Sequence, residues 1–104
     1  MNIDKLKNIL IENKIDETAC QVLPSHFVEG ALTLKKEDDG SWIVLLNERG
    51  EWLIKERFWV LSDACKVFLK QALRDPTYRI NFRQSDLATW EKTYKELLQK
   101  YDLK

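Results

Sequence analysis

Trp42-Ile43-Val44-Leu45-Leu46 is an uninterrupted apolar run with a turn signal at each end. Glu37-Asp38-Asp39-Gly40-Ser41 precedes it, and Asn47-Glu48-Arg49-Gly50-Glu51 follows. A short apolar run between turns is the pattern of a central strand covered on both faces. Its neighbours alternate instead. In Val28–Lys36, Val28, Gly30, Leu32 and Leu34 fall on one side, and Glu29, Ala31, Thr33 and Lys35 on the other. In Trp52–Val60, Trp52, Ile54, Glu56, Phe58 and Val60 share one face, and Leu53, Lys55, Arg57 and Trp59 the other. Period-two alternation marks a strand with one buried face. Two short turns joining three strands predict an antiparallel meander. Glu17–Val22, ahead of the break at Pro24-Ser25, reads as a further short edge strand.

Both flanks of the meander are helical in period. Between Asn2 and Lys14, the residues Ile3, Leu6, Leu10 and Asn13 form a stripe at helical spacing with Ile9 beside it. After the meander, Ser62 reads as an N-cap and Asp63 places a negative charge at the positive end of the helix dipole. Cys65, Phe68, Leu69 and Ala72 form the next stripe, which ends at Asp75-Pro76 because the residue before proline is pushed out of the α region. Thr77–Arg83 connects. Ser85 and Asp86 read as the opening of the last helix, whose stripe is Leu87, Trp90, Tyr94, Leu97, Leu98 and Tyr101. Glu91/Lys95 and Glu96/Lys100 supply i,i+4 pairs on its wet face.

The expected class is therefore α+β: an N-terminal helix, an antiparallel meander of three or four strands, and two C-terminal helices packed on the sheet. A chain of 104 residues supports one domain, residues 1–104. The central strand's two apolar faces require cover on both sides, from helices on each face or from a partner protein on the second.

Little here suits catalysis. His26 is the one histidine and stands in a predicted loop, without a base-and-orienter set. Two cysteines, Cys20 and Cys65, lack zinc or redox spacing and read as buried thiols. The three glycines form no phosphate loop, so no cofactor and no metal are expected. Met1–Lys14 mixes charged residues into its apolar ones, unlike a signal peptide, and no apolar stretch approaches a membrane span. The expected setting is the cytoplasm, with no membrane partner.

Binding residues are easier to find. Seventeen basic and seventeen acidic residues cancel, which argues against general affinity for nucleic acid. The Glu37-Asp38-Asp39 turn is an acidic tip suited to steering a basic partner. Glu48, Glu51 and Glu56 add acidic positions nearby. Four tryptophans are many for this length. Trp42 and Trp90 read as core. Trp52 and Trp59, seven apart, are expected on opposite strand faces, so one of them is free to anchor a partner.

The segment Trp42-Ile43-Val44-Leu45-Leu46-Asn47-Glu48-Arg49-Gly50, then Phe58, then Ser62-Asp63-Ala64-Cys65 and Phe68-Leu69, resembles the immunity proteins of bacterial polymorphic-toxin systems, contact-dependent growth inhibition among them. Glu29-Gly30-Ala31-Leu32-Thr33-Leu34 resembles the strand before it. The likeness covers residues 28–70. It departs from the pattern at Trp59-Val60-Leu61, where an acidic residue often follows the Phe. The resemblance implies a non-enzymatic cytoplasmic protein that binds and neutralises the C-terminal domain of one cognate toxin, often a nuclease. It implies a structural role for Glu-Arg-Gly, since contacts vary with the toxin while shared residues hold the fold. Nuclease surfaces tend to be basic, so Glu37, Asp38, Asp39, Glu48, Glu51 and Glu56 are the expected contacts, with Trp52 or Trp59 as anchor.

Two other functions compete. A nucleic-acid or regulatory module predicts one basic face, from Arg74, Arg79 and Arg83 with Lys55 and Arg57. An enzyme predicts a polar cleft joining His26 to an acid and a hydroxyl.

Overall fold

A computed structural model describes residues 1–103. Helix α1 spans Ile3–Glu12. Four strands follow: β1, Cys20–Val22; β2, Leu32–Lys36; β3, Trp42–Glu48; β4, Glu51–Phe58. Helix α2 is Leu61–Arg74 and α3 is Trp90–Lys100, joined through two 3₁₀ turns at Pro76–Tyr78 and Gln84–Thr89. The class is α+β, with a four-stranded sheet in the order β1-β2-β3-β4.

The sheet is mixed, which corrects the expectation of a purely antiparallel meander. β2, β3 and β4 do form the meander, with Leu34 opposite Val44 and Val44 opposite Glu56. β1, however, pairs with β2 in parallel, Cys20 beside Leu32 and Val22 beside Leu34. A parallel pair cannot be closed by a hairpin, so the intervening chain has to travel back along the sheet. Val28–Ala31, expected as strand, belongs to this return and lies outside β2.

All three helices serve one face of the sheet. Leu32, Leu34, Val44 and Leu46 join Leu6, Ile9, Leu10, Phe68 and Leu69 in a single core. Helix α2 lies directly on β2, β3 and β4, while α1 and α3 pack mainly against α2. The last helix is therefore a second layer rather than a sheet cover. Phe68 is wholly buried at the centre, and a side chain of that size contributes about 1.5–3 kcal/mol by leaving water.

The helix ends are held by long-range bonds. Val60 is the N-cap of α2, and Ser62 instead accepts a hydrogen bond from the Met1 amino group at 3.0 Å. The Trp90 indole donates to the carbonyls of Leu73 and Arg74, satisfying acceptors that the end of α2 leaves open. The Asn13 amide, buried at the end of α1, donates to the Tyr101 hydroxyl. Ser85 and Asp86 lie in the second 3₁₀ turn, and α3 proper starts at Trp90. Glu91 and Lys95 pair at 3.6 Å as expected, but Lys100 reaches across to Glu12 at 3.0 Å.

Both cysteines are buried free thiols. Burial pushes the Cys20 thiol up to about 12, with Asp75 and Asp16 adding to the effect, and burial raises Cys65 as well. A raised folded value means that the thiol's neutral form is the one the fold holds. That stability is intact below the ordinary value of 9.0 and is lost as pH rises from there toward 12. A thiol reagent is therefore expected to label neither cysteine in the native protein near neutral pH and both in denaturant. Urea midpoints are expected to fall above pH 9.0. Rapid native labelling of Cys20 would contradict its burial.

Candidate protein-binding surface at the second sheet face and the β4 edge

The second face of the sheet has no helix on it, yet Ile43 is 3% and Leu45 5% exposed. Two things cover them. The return segment, residues 23–31, crosses this face from β1 to the start of β4. Its Phe27 ring meets Trp52 at 5.9 Å, the Gly30 amide donates to the Asn47 carbonyl, and the Glu29 carboxylate accepts from the Gly50 amide at 2.9 Å. The stems of Lys35, Lys55 and Arg57 share the face by strand alternation, and long basic side chains cover apolar surface while keeping their charge in water. The cover expected from helices or a partner is supplied by a loop and by lysine and arginine stems.

A bulge corrects the expected placement of Trp52. Leu46 faces Ile54 but Asn47 faces Trp52, so Leu53 is an extra residue in β4. The extra residue shifts the pleat by one, and Trp52 moves to the face of Lys55 and Arg57, away from Ile54. There the Lys55 ammonium sits 5.0 Å from the Trp52 ring centroid. Trp52 remains 49% exposed, and Trp59, just past the end of β4, is 68% exposed. Leu53 and Val60 are exposed beside them. Both ends of β4 thus carry an exposed aromatic with an exposed aliphatic neighbour, whereas Trp42 is half-buried and Trp90 buried.

The Glu48-Arg49-Gly50 motif is the hairpin itself. Arg49 and Gly50 have φ of 52° and 80°, the double positive φ that the favoured two-residue hairpin loop requires. Glu48 and Glu51 close the loop opposite one another, both exposed. They lie within the two strands, so the turn is tighter than the five residues expected.

The acidic tip is largely engaged at home. Asp39 accepts from the backbone and hydroxyl of Ser41 and from Arg57 at 2.8 Å, and the Arg57 guanidinium also reaches the Ser41 hydroxyl. Those Ser41 bonds, with Arg57 assisting, hold the Asp39 carboxyl below its ordinary value. Ser41 is fully buried, so the cluster satisfies a hydroxyl that would otherwise be stranded. Lys35 and Glu37 stand 3.5 Å apart. Of the tip residues, Asp38 alone makes no ion pair among the described residues. Glu56 is on the helix-side face of β4, between Ile54 and Phe58, and is exposed.

The structure therefore brings Trp52, Glu51 and Glu48 to one end of β4, Glu56 to its middle and Trp59 to the other end. Glu37, Asp38 and Asp39 form a separate corner at the β2–β3 turn, tied to β4 through Arg57. Phe27, missed in the sequence, joins Trp52. Its pattern signal was weak because only the parallel pairing carries that loop across the sheet.

The basic residues proposed for nucleic acid do not share a face. Lys55 and Arg57 are on the second face. Arg74 ends α2 on the other side, and Arg79 is spent on the Asn13 carbonyl and the Trp90 ring. His26 lies exposed in the return loop. A hollow of about 340 Å³ opens between α1 and β1, lined by Lys7, Leu10, Glu17, Cys20 and Gln21 among others. Its one thiol is the Cys20 group whose ionisation burial opposes. No group of three metal-ligating side chains is found among the described residues, and no helix there is long and apolar enough to cross a membrane. Comparison of the chain with protein-family models, curated proteins and solved structures finds no match.

The Asp39–Arg57–Ser41 cluster yields a pH prediction. A carboxyl held below its ordinary 3.8 contributes stability when ionised, present above that value and lost as pH falls through the lower folded value. Asp39→Asn is expected to reduce stability at neutral pH only slightly, because solvent screens an exposed pair. The gap to wild type should close in acid well below pH 3.8. Urea titrations at both pH values check this, and a gap that widens in acid would contradict it.

Proposed function

We propose that this protein is a non-catalytic binding domain that docks stoichiometrically on a cognate toxin domain and neutralises it, as the immunity proteins it resembles do. One observation carries the reading: β4, an edge strand, has exposed aromatic and aliphatic residues at both ends, Trp52 with Leu53 and Trp59 with Val60. Large apolar residues exposed together mark interaction sites more often than isolated ones do. At roughly 3.3 Å per residue, Trp52 and Trp59 lie about 20 Å apart, within the span of one standard interface. Glu48, Glu51 and Glu56 on the same hairpin supply acidic contacts for a basic partner, and Asp38 is the free carboxylate of the β2–β3 tip. Cytoplasmic residence and the absence of a cofactor belong to the same reading.

A nucleic-acid module is the second reading. It is favoured by Phe27, Trp52 and Lys55 on one sheet face, since bases stack on aromatics beside cations. Arg57 and Lys35 on that face are already paired with Asp39 and Glu37, which weakens it.

The test is a titration calorimetry or pull-down experiment with the toxin C-terminal domain encoded immediately upstream. Binding at micromolar concentration or tighter, in one-to-one ratio, is expected. Trp59→Ala is expected to fold normally, because its side chain is exposed, whereas Trp52→Ala also loses the Phe27 contact, so its urea midpoint is measured alongside its binding. At least one of them should weaken binding by 2 kcal/mol or more, about thirtyfold, as a hot-spot residue does. Absence of binding, together with a gel shift at low salt, would favour nucleic acid, because phosphate contacts are strongest there.

A further inference from the structure

The outer side of β4 has no neighbour in the sheet. Among the described residues, its backbone hydrogen bonds run to β3 alone. Unpaired donors and acceptors along an edge are a template for another strand. Two features restrict which strand. The bulge at Leu53 breaks the ladder and leaves Ile54–Phe58 as the regular stretch. Within that stretch, Glu56 stands between half-buried Ile54 and Phe58 on one face, and Lys55 and Arg57 stand on the other.

Antiparallel pairing of two copies about Glu56 shows what the pattern does. Ile54 of each copy would face Phe58 of the other, an apolar match. Glu56 would face Glu56, however, and Lys55 would face Arg57. An axis at Lys55 or at Arg57 sets like on like again. Like charges directly opposite are destabilising. The apolar ends suit an added strand, and the charges between them reject a second copy of this chain.

We infer that Ile54–Phe58 takes an extended segment of another protein as a fifth strand, by backbone pairing of the β-addition kind. The complementary segment reads apolar, acidic, basic, acidic, apolar, set opposite Phe58, Arg57, Glu56, Lys55 and Ile54. The pattern is the same in both directions, so it fits a parallel or an antiparallel strand. Arg57 already holds Asp39, so the acidic residue opposite Lys55 carries most of the charge selectivity. Trp52 and Leu53 flank one end of the added strand and Trp59 and Val60 the other. This inference rests on the protein-binding function proposed above and names how the partner is held.

The first experiment needs no partner. Lys55→Glu combined with Glu56→Val converts the two like-charged pairs of the Glu56-centred register into opposite-charge pairs and its centre into an apolar pair. The double variant is expected to dimerise in sedimentation velocity at micromolar concentration. Amide exchange in Ile54–Phe58 should slow by about tenfold or more on dimerising, as paired amides do. Wild type is expected to show no concentration-dependent slowing there. A folded double variant that stays monomeric, or that dimerises with Ile54–Phe58 still exchanging freely, overturns the inference. The second experiment uses wild type, so it stands even if the double variant fails to fold. A hairpin peptide displaying Val-Glu-Lys-Glu-Val on its outer strand is expected to slow Ile54–Phe58 exchange at millimolar concentration, and one displaying Val-Lys-Glu-Lys-Val is not. No difference between the two peptides also overturns it. A toxin domain that binds while Ile54–Phe58 exchanges freely overturns strand addition and leaves the binding function standing.

Discussion

β3 must be dry on both sides, and most of the structure answers that demand. Val44 and Leu46 face α2 and are buried with Leu6, Phe68 and Leu69. Ile43 and Leu45 point the other way and have no helix above them. Among the described residues the three α-helices are all taken by the first face. The second face is closed by the cheapest available material, a loop and the alkyl stems of basic side chains. That choice forces the parallel arrangement of β1 and β2, because only a chain that leaves β1 at one end and re-enters β2 at the other crosses the sheet on its way. Phe27 on Trp52, Gly30 on Asn47 and Glu29 on Gly50 are the points where the crossing is fastened.

Electrostatics at this surface are mostly local. Asp39, Ser41 and Arg57 satisfy one another, and Lys35 has Glu37. Charges already committed inside the molecule have less to offer a partner, since a partner must compete with the existing bond. The acidic tip is thus chiefly a corner brace between the β2–β3 turn and β4. The carboxylates of the β3–β4 hairpin, Glu48, Glu51 and Glu56, make no ion pair among the described residues and stand beside exposed apolar groups. They are the better candidates from the original set.

Elements defined by local pattern were legible in the sequence. The Trp42–Leu46 run, the Cys65–Ala72 stripe and the stop at Asp75-Pro76 stand where the residues place them, and the β3–β4 turn falls inside its expected span but is tighter. Asn13, polar in an otherwise apolar stripe, is buried because the Tyr101 hydroxyl and a helix carbonyl receive its amide. What was not legible depends on distant partners. Ser62 looks like an N-cap, but its hydroxyl is claimed by the Met1 amino group. β1 carries no mark of its direction. One bulged residue, Leu53, reverses the face of Trp52, and nothing in strict alternation announces it. The face of Trp52 decided which aromatic group forms the surface, so the least visible local feature had the largest effect on the candidate site.

The crossing segment also separates the two edges of the sheet by how their pairings are closed. β2, β3, β4 and α2 are joined by short connections and can find one another through contacts near in sequence. Pairing β1 with β2 closes the loop of residues 23–31, which is longer than either hairpin turn and costs more entropy to close. The three residues of β1 are held by a single neighbour, and its outer side borders the hollow beneath α1. β4, by contrast, pairs with β3 from Glu51 to Phe58, interrupted once at the Leu53 bulge. A partner strand arriving at β4 meets Ile54–Phe58 already held extended by β3, a template that loses little further freedom on being used.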